Sequence, residues 1–248
     1  SDFMGKLKNL GSKLLAGPYV IWMLLFTVIP LGLIIYNGFT NSDGRFTFKY
    51  VAAIADPVNA KPLLLSFEMS LIVTVVCLLL AFPLAVILSK YSTDKNSFIV
   101  MIFILPMWMN FMLRTLAWRL ILLNNGFLNQ FLTMLGLSKV YLMNTKAAII
   151  FGTAYDYFPF MVLPIYNAVV KIDKDVINAA KDLGATNSVV LRKIILPLSV
   201  PGIVSGITMV LVPSMSEFVI ADMLGGGKIY LIGNAIEQAF NSGYADVH

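Results

Sequence analysis

Long apolar segments recur along the whole chain, and they constrain its fold more than any other feature. Windows of about 20 residues predict five membrane spans, at residues 17–39, 63–89, 98–123, 147–170 and 194–223. Hydrophobic residues make up 58% of the 248 residues and charged residues only 12%, which is about half the charged share of a soluble domain. The sequence therefore predicts an all-α, polytopic helical bundle that forms a single membrane domain over residues 1–248.

Basic residues in the loops predict the orientation of this bundle, because lysine and arginine accumulate on the cytoplasmic side. With the N-terminus inside, the cytoplasmic segments hold Lys6, Lys8, Lys13, Lys90, Lys95, Lys171, Lys174, Lys181, Arg192 and Lys193. The outer segments hold only Arg45, Lys49, Lys61, Lys139, Lys146 and Lys228. This excess predicts a cytoplasmic N-terminus and a cytoplasmic loop at about 171–193. The net charge of +5 then reflects topology, and no nucleic-acid partner follows from it.

The 171–193 loop has the pattern of a short helix, a turn and a second helix. Asp173 or Asp175 can cap the first helix, and Gly184 can end it in a left-handed conformation. The second helix can be capped by Thr186, Asn187 or Ser188. Small side chains at Ala179 and Ala180 would let another protein approach closely, so we expect a docking surface here.

Ala-Ala at 179–180, Gly184 and Ile-x-Leu-Pro at 194–197 resemble the cytoplasmic coupling loop of the permease subunits of ABC importers, which usually begins with Glu-Ala-Ala. The resemblance implies a type I ABC importer permease fold. It implies contact with an ATPase through Asn178, Ala179, Ala180, Asp182, Leu183, Gly184 and Ala185. Asn178 stands where the family usually has glutamate, so no role of that carboxylate transfers. We expect Asn178 to form hydrogen bonds as a residue at the N-terminus of a helix.

Further segments resemble the spermidine/putrescine importer permeases, over about residues 17–240. They are Leu-Pro-Met-Trp-Met-Asn at 105–110, Arg-Thr-Leu-Ala-Trp at 114–118, Phe-Pro-Phe-Met-Val-Leu-Pro at 158–164, Ala-Asp-Met-Leu-Gly-Gly-Gly-Lys at 221–228 and Leu-Ile-Gly-Asn at 231–234. Importer permeases of this type end with a further helix after such an outer loop. We therefore expect a sixth span beyond residue 248.

Ionisable residues inside the predicted spans are candidates for a transport pathway, because a charge at membrane depth costs about 2.5–3.5 kcal/mol on insertion scales. They are Glu68, Asp156, Glu217, Asp222, Arg114 and Arg119. Carboxylates beside aromatic rings suit an organic polyammonium ligand through charge pairing and cation–π contacts. The predicted pathway residues are Trp108, Asn110, Tyr155, Asp156, Glu217 and Asp222.

Other interpretations of these residues stay open. Asp156 and Arg114 could pair as internal stabilisation, and Glu68, Asp222 and Arg119 could reach interfacial water near the span ends. The bundle could carry a different solute, such as an amino acid or an inorganic ion. It could also be a secondary transporter without an ATPase, although the sequence shows none of the repeat symmetry expected of one.

The sequence does not predict an enzyme. A nucleotide-binding loop would need Ser or Thr after its lysine, whereas Ile229 follows Lys228 in the glycine-rich segment at 225–228. The lone His248 at the chain end leaves no histidine for a metal site or a catalytic triad, and the single Cys77 allows no intrachain disulfide. We expect no cofactor bound by this chain.

The resemblance implies an assembly with four kinds of component in a bacterial cytoplasmic membrane. This chain would pair with a homologous second permease within the lipid bilayer. Two copies of an ATPase subunit, using ATP and Mg, would bind the coupling loops inside. An extracytoplasmic polyamine-binding protein would deliver the substrate outside.

Overall fold

The computed structural model describes residues 16–41, 43–90, 102, 105–107 and 109–242. These residues are helical apart from their turns and one isolated antiparallel bridge between Thr40 and Phe46. They divide into two compact units, with the boundary between residues 60 and 61. The all-α prediction is confirmed for this part of the chain.

The first unit begins with a long apolar helix, α1 (Ala16–Phe39), which contains a π-helical turn at Leu24–Val28. A short helix, α2 (Lys49–Ala52), follows and continues as a 3₁₀ turn at Ala53–Ala55. Between them, the rings of Phe39, Phe46 and Phe48 pack together with centroids 4.9–5.9 Å apart. This aromatic cluster fixes the connection after the first predicted span.

The long helix α3 (Pro57–Lys90) leads from the first unit into the second. The second unit then contains α4 (Phe111–Leu122), α5 (Phe127–Met134), α6 (Lys146–Val170), α7 (Lys174–Asp182), α8 (Asn187–Met215), α9 (Val219–Gly225) and α10 (Ile232–Asn241). Helix α8 contains a second π-helical turn at Leu191–Ile195.

Four of the described helices are long and apolar enough to cross a membrane: α1, α3, α6 and α8. They contain the predicted spans 17–39, 63–89 and 147–170, and the larger part of the span predicted at 194–223. The start of the span predicted at 98–123 lies mostly outside the described residues, and its described helical part is α4.

The last predicted span, 194–223, was wrong at its C-terminal end. Its helix begins at Asn187 and ends at Met215, and a separate helix starts at Val219. The break has a local cause, since Glu217 Oε1 accepts hydrogen bonds from the backbone N–H groups of Val219 and Ile220 at 3.1 and 3.2 Å. A carboxylate that caps a new helix stabilises the interruption, and an average over hydropathy does not detect it.

Helices α6 and α8 pack closely through glycines in α8. A Cβ atom on Gly202 would lie 2.6 Å from the Cβ of Ala168, and one on Gly206 would lie 2.8 Å from the sulfur of Met161. Small residues at such crossings let two membrane helices approach with close van der Waals contact. The α6–α8 pair therefore forms the rigid centre of the second unit.

Two apolar clusters complete the second unit. One joins α3, α6 and α8 around Cys77, Met161, Ile165 and Val210. The other joins the opposite end of α6 to α9, around Ile149, Ala221 and Leu224. The first cluster extends to α7, and the second supports the 221–234 segment.

Candidate coupling helix and transport pathway

The predicted coupling loop folds as two capped helices. Asp173 Oδ1 accepts a hydrogen bond from the backbone N–H of Asp175 at 2.9 Å, so Asp173 is the N-cap of α7. Thr186 Oγ1 accepts one from the N–H of Val189 at 3.4 Å and caps α8. The structure thus selects Asp173 from the two predicted caps of the first helix, and Thr186 from the three predicted for the second.

The turn between these helices depends on Gly184, as predicted. Gly184 has φ +83°, in the left-handed region that favours glycine. Its N–H donates to the Lys181 carbonyl at 2.9 Å, and the Ala185 N–H donates to the Ala180 carbonyl at 3.0 Å. These two bonds are those of a Schellman motif, which satisfies the last carbonyls of α7 and fixes where the chain turns.

Helix α7 has two distinct faces. Leu183 is 89% exposed and Val176 is 47% exposed, and Ala179 is exposed between them. Spacings of three and four residues place all three on one side of a helix. An apolar strip on an otherwise polar helix is the kind of surface that marks a protein interface.

The opposite face of α7 packs against the protein itself. Ile177, Ala180 and Ala185 are half-buried against the cluster around Met161 and Ile165. The prediction grouped Ala179 and Ala180 as one approach surface, whereas the structure places Ala180 on the inner face of α7. Its small side chain lets α7 lie close to its own core, whereas that of Ala179 stays exposed.

Asn178 does not lie at the start of a helix, so that prediction is also wrong. The helix begins four residues earlier, at Lys174, and Asp173 performs the capping. Asn178 lies exposed in the middle of α7, and Asp182 lies exposed in its last turn. Asn178 and Asp182 are therefore available to a partner rather than needed for the helix ends.

Among the predicted pathway residues, Asp156 forms a buried ion pair with Arg114. Arg114 Nη2 lies 3.2 Å from Asp156 Oδ1, with the two side chains 9% and 8% exposed. The Thr115 hydroxyl donates to Asp156 Oδ2 at 3.2 Å, and it shares its hydrogen with the Phe111 carbonyl at 2.9 Å. The structure thus contains the internal pair of Asp156 and Arg114 that the sequence analysis left as an open alternative.

This ion pair is incompletely satisfied. Within the described part of the chain, Arg114 Nε, Arg114 Nη1 and Asp156 Oδ1 have no aligned hydrogen-bond partner. The guanidinium carbon also lies 6.0 Å from the centroid of the Tyr155 ring, at the limit of a cation–π contact. A buried charge pair with unsatisfied donors is costly to keep, and removing either partner would leave the other charge buried and uncompensated.

Glu217 is engaged at both oxygens. While Oε1 caps α9, Oε2 accepts a hydrogen bond from the Tyr157 hydroxyl at 3.1 Å. Because Tyr157 follows Asp156 directly, this bond brings the two predicted pathway carboxylates to the same part of α6. Glu217 lies in the connection between α8 and α9, not inside an apolar span.

Asp222 belongs to a different arrangement. It accepts a hydrogen bond from Asn234 Nδ2 at 2.6 Å, and Asn234 Oδ1 accepts one from the backbone N–H of Leu231 at 3.1 Å. The Ser66 hydroxyl oxygen accepts another from the N–H of Ile232 at 2.8 Å. These contacts tie α10 to α9 and α3, so Asp222 holds two helices together.

The remaining predicted pathway residues have separate positions. Asn110 is the N-cap of α4, where its side chain accepts from the backbone N–H of Met112 at 2.8 Å. Trp108 lies outside the described residues. No group of three or more His, Cys, Asp or Glu side chains that could hold a metal ion occurs in the residues that the structure describes.

The chain matches the family described as the binding-protein-dependent transport system inner membrane component, over residues 29–244. The chain belongs to this family. It is therefore an inner-membrane permease subunit, and ATP hydrolysis resides in a separate subunit. Membership of this family implies no cofactor for this chain.

Two curated relatives carry the same name, "Spermidine/putrescine transport system permease protein PotB". The protein from Salmonella typhimurium (strain LT2) is 37% identical over 227 residues, which are 88% of this permease and 79% of the relative. The protein from Escherichia coli (strain K12) is 36% identical over 227 residues, 88% of this permease and 82% of the relative.

A solved structure shares the fold. It is a bacterial ABC transporter involved in the import of the acidic polysaccharide alginate, with a TM-score of 0.64 and 18% identity. The match covers 98% of this permease and 89% of that chain. The predicted ABC importer permease fold is thus confirmed, while identity this low says nothing about the substrate.

The structure also shows residues near Asp156 that were not among the predicted pathway residues. Trp118 packs edge-on against Phe151 and Tyr155, with ring centroids 4.6 and 5.3 Å away. The sequence held a signal for it, since Arg114 and Trp118 are four residues apart and share one face of α4. Thr115 gave no such signal, because its contact with Asp156 depends on how α4 meets α6.

Proposed function

We propose that this permease forms half of the translocation pathway of an ATP-driven importer for polyamines of the spermidine/putrescine class. One observation carries the proposal: relatives named for spermidine/putrescine transport are 36–37% identical to it over 88% of its length. The fold by itself would not support this choice, because the solved transporter with the same fold imports an acidic polysaccharide.

The coupling part of the proposal assigns α7 to contact with the ATPase. Val176, Ala179 and Leu183 form its exposed apolar strip, and exposed Asn178 and Asp182 flank the strip. The caps at Asp173 and Gly184 fix the two ends of this helix, and Ile177 and Ala180 pack it against the permease core. Rigid docking supports coupling because a motion of the ATPase is then transmitted to the helix α8 that follows directly.

The assembly part of the proposal keeps the four components that the resemblance implies. A homologous second permease completes the pathway, and two ATPase subunits use ATP and Mg inside. A binding protein delivers polyamine at the outer side of a bacterial cytoplasmic membrane, with the N-terminus of the permease in the cytoplasm. In support, a solved bacterial alginate ABC transporter with the same fold is in complex with an alginate pentasaccharide-bound periplasmic protein.

The pathway part of the proposal centres on Asp156 and Glu217. An ammonium group of the substrate could take the place of the Arg114 guanidinium beside Asp156, because the present pair lacks aligned hydrogen bonds. The Tyr155 ring lies beside the Arg114 guanidinium, and Trp118 packs edge-on against Tyr155. Each cation–π contact with a substrate ammonium group would contribute about 0.5–2 kcal/mol. Glu217 adds a second carboxylate through the hydroxyl of Tyr157.

Uptake by the reconstituted transporter tests the substrate. Proteoliposomes holding the two permeases and the ATPase, supplied with ATP inside and the binding protein outside, should accumulate labelled spermidine. Excess unlabelled putrescine should compete, whereas an amino-acid mixture or sulfate should not. ATP-dependent uptake of an amino acid or an inorganic ion in place of spermidine would refute the polyamine assignment while leaving the permease family intact.

A further inference from the structure

A cavity of about 610 Å³ lies behind the coupling helix. Its walls come from the last turn of α3, the last turns of α6, the inner face of α7 and the first turns of α8. With the orientation proposed above, all four walls meet at the cytoplasmic surface of the membrane. This cavity is separate from Asp156 and from the exposed strip of α7, and neither part of the proposed function uses it.

The polar side of this cavity is cationic. Lys90, Lys174 and Lys181 line it, and no carboxylate does. None of these lysines forms an ion pair within the described part of the chain, where the pairs are Arg114–Asp156 and Lys146–Glu68. Three like charges around one space repel one another, so the cavity favours an anionic occupant.

The start of α8 adds to this potential. Asn187 and Ser188, its first two residues, line the cavity, and the N-terminus of a helix carries partial positive charge and backbone N–H donors. The carboxylates of α7 do not cancel it. Asp173 caps α7, and neither it nor Asp175 nor Asp182 belongs to the cavity wall.

The other side of the cavity is apolar. Val86, Val169, Ile172 and Ile195 line it, and all four are buried. A free phosphate ion would leave this wall uncovered. An amphiphile with a phosphate head and hydrocarbon chains matches both sides, and basic pockets between membrane helices on the cytoplasmic side are known to suit anionic lipid headgroups.

We propose that this cavity binds the headgroup of an anionic phospholipid from the inner leaflet. The phosphate lies among Lys90, Lys174 and Lys181 at the N-terminus of α8, and the acyl chains run along the apolar wall. Because Lys174 and Lys181 belong to α7, the bound lipid braces the coupling helix from behind. Coupling then depends on the anionic lipid content of the inner leaflet.

Lipid retention by the assembled transporter tests this proposal without relying on transport. We expect native mass spectrometry of the complex, titrated with phosphatidylglycerol in detergent, to show a tightly retained lipid that phosphatidylcholine does not replace. Changing Lys90→Gln, Lys174→Gln and Lys181→Gln together should weaken phosphatidylglycerol binding severalfold. A control variant with Lys171→Gln, Arg192→Gln and Lys193→Gln removes the same charge from outside this cavity and should retain the lipid.

Several results would overturn the proposal. Equal lipid loss in the two triple variants would show a general charge effect, and equal retention of phosphatidylcholine would show an apolar site only. Displacement by inorganic phosphate alone would identify a free-anion site. Loss of the ATPase subunit from the cavity variant with unchanged lipid binding would assign the lysines to a protein contact. If the triple variant does not assemble, single Lys90→Gln on α3 must still lower phosphatidylglycerol affinity.

Discussion

The coupling helix α7 and the buried pair of Arg114 and Asp156 are stabilised in opposite ways. Helix α7 is fixed by local hydrogen bonds, at Asp173 and around Gly184, and it keeps an exposed apolar strip. The ion pair is held between α4 and α6, and it is buried with Arg114 Nε, Arg114 Nη1 and Asp156 Oδ1 lacking aligned hydrogen bonds. In the proposed mechanism, the first region docks an ATPase, and the second holds a carboxylate that exchanges Arg114 for a substrate ammonium group.

The exposed strip should be the most sensitive point of the coupling region. Leu183→Asp places a charge at the C-cap of α7, the most exposed residue of the apolar strip, where docking would have to desolvate it. We expect ATP-driven uptake to fall by more than about tenfold, since each 1.4 kcal/mol of lost docking energy is about a factor of ten. Permease accumulation in the membrane should stay normal, as measured by immunoblotting of membrane fractions.

Leu183→Met is the matched control for that change, because it keeps an apolar side chain of similar volume and should retain coupling. Uptake by Leu183→Asp at the wild-type rate would remove α7 from the coupling mechanism. The proposed functional difference between α7, which docks, and the Arg114–Asp156 pair, which exchanges a charge, would then be wrong.

Removing Arg114 should destabilise the pathway region strongly. Arg114→Met leaves Asp156 buried beside no cation, and breaking a buried ion pair in this way costs about 3–5 kcal/mol. We expect a large loss of thermal stability of the purified complex, and Arg114→Met combined with Asp156→Asn should recover most of it. If the double variant recovers stability but not spermidine uptake, Asp156 acts in transport as well as in packing.

The exposed pair of Lys146 and Glu68, 3.9 Å apart, offers the matched comparison. Glu68→Gln should change stability by less than about 1 kcal/mol, because water screens exposed pairs. Equal losses of thermal stability from Arg114→Met and Glu68→Gln would mean that the buried Arg114–Asp156 pair contributes no more to stability than the exposed Lys146–Glu68 pair.

Gly184→Val should weaken coupling by a smaller amount. No atom lies within 4 Å of a Cβ built on Gly184, so its effect comes from the backbone alone. Forcing a β-branched residue to φ +83° costs about 1–3 kcal/mol, which shifts the end of α7, and we expect severalfold lower uptake. Gly184→Asn should be milder, since asparagine tolerates the left-handed region.

Gly136 supplies the control for this prediction. It has φ +74° and equally open surroundings, but it follows α5, away from the coupling loop. Gly136→Val carries the same backbone strain, so it should alter uptake less than Gly184→Val. The reverse order would show that strain in general, and not the turn after α7, limits transport.

The sequence predicted well what is decided locally. Hydropathy located α1, α3, α6 and most of α8, and residue type with spacing identified Gly184 and candidate sets that contain Asp173 and Thr186. The inner face of α7 was also within reach, because Ile177 and Ala180 are three residues apart and share a face. Ala179 and Ala180 are adjacent in the chain, so this helical spacing places them on different faces of α7.

The rest depended on tertiary contacts that no local pattern encodes. The break after Met215 depends on Glu217, whose second oxygen is held by Tyr157, sixty residues earlier in the chain. The partner of Asp156 depends on how α4 packs against α6. Likewise, the hydrogen bond from Asn234 to Asp222 joins two separate helices, α10 and α9.

Crosslinking from the two neighbouring alanines of α7 tests the central claim most directly. Cys77 is buried, so a cysteine introduced at Ala179 or at Ala180 can be labelled selectively with a short bifunctional reagent in intact inverted membranes. We predict efficient crosslinking of Ala179→Cys to the ATPase subunit and much weaker crosslinking of Ala180→Cys, which faces the permease core. Equal yields from both positions, or crosslinks only to proteins at the outer side, would contradict the account.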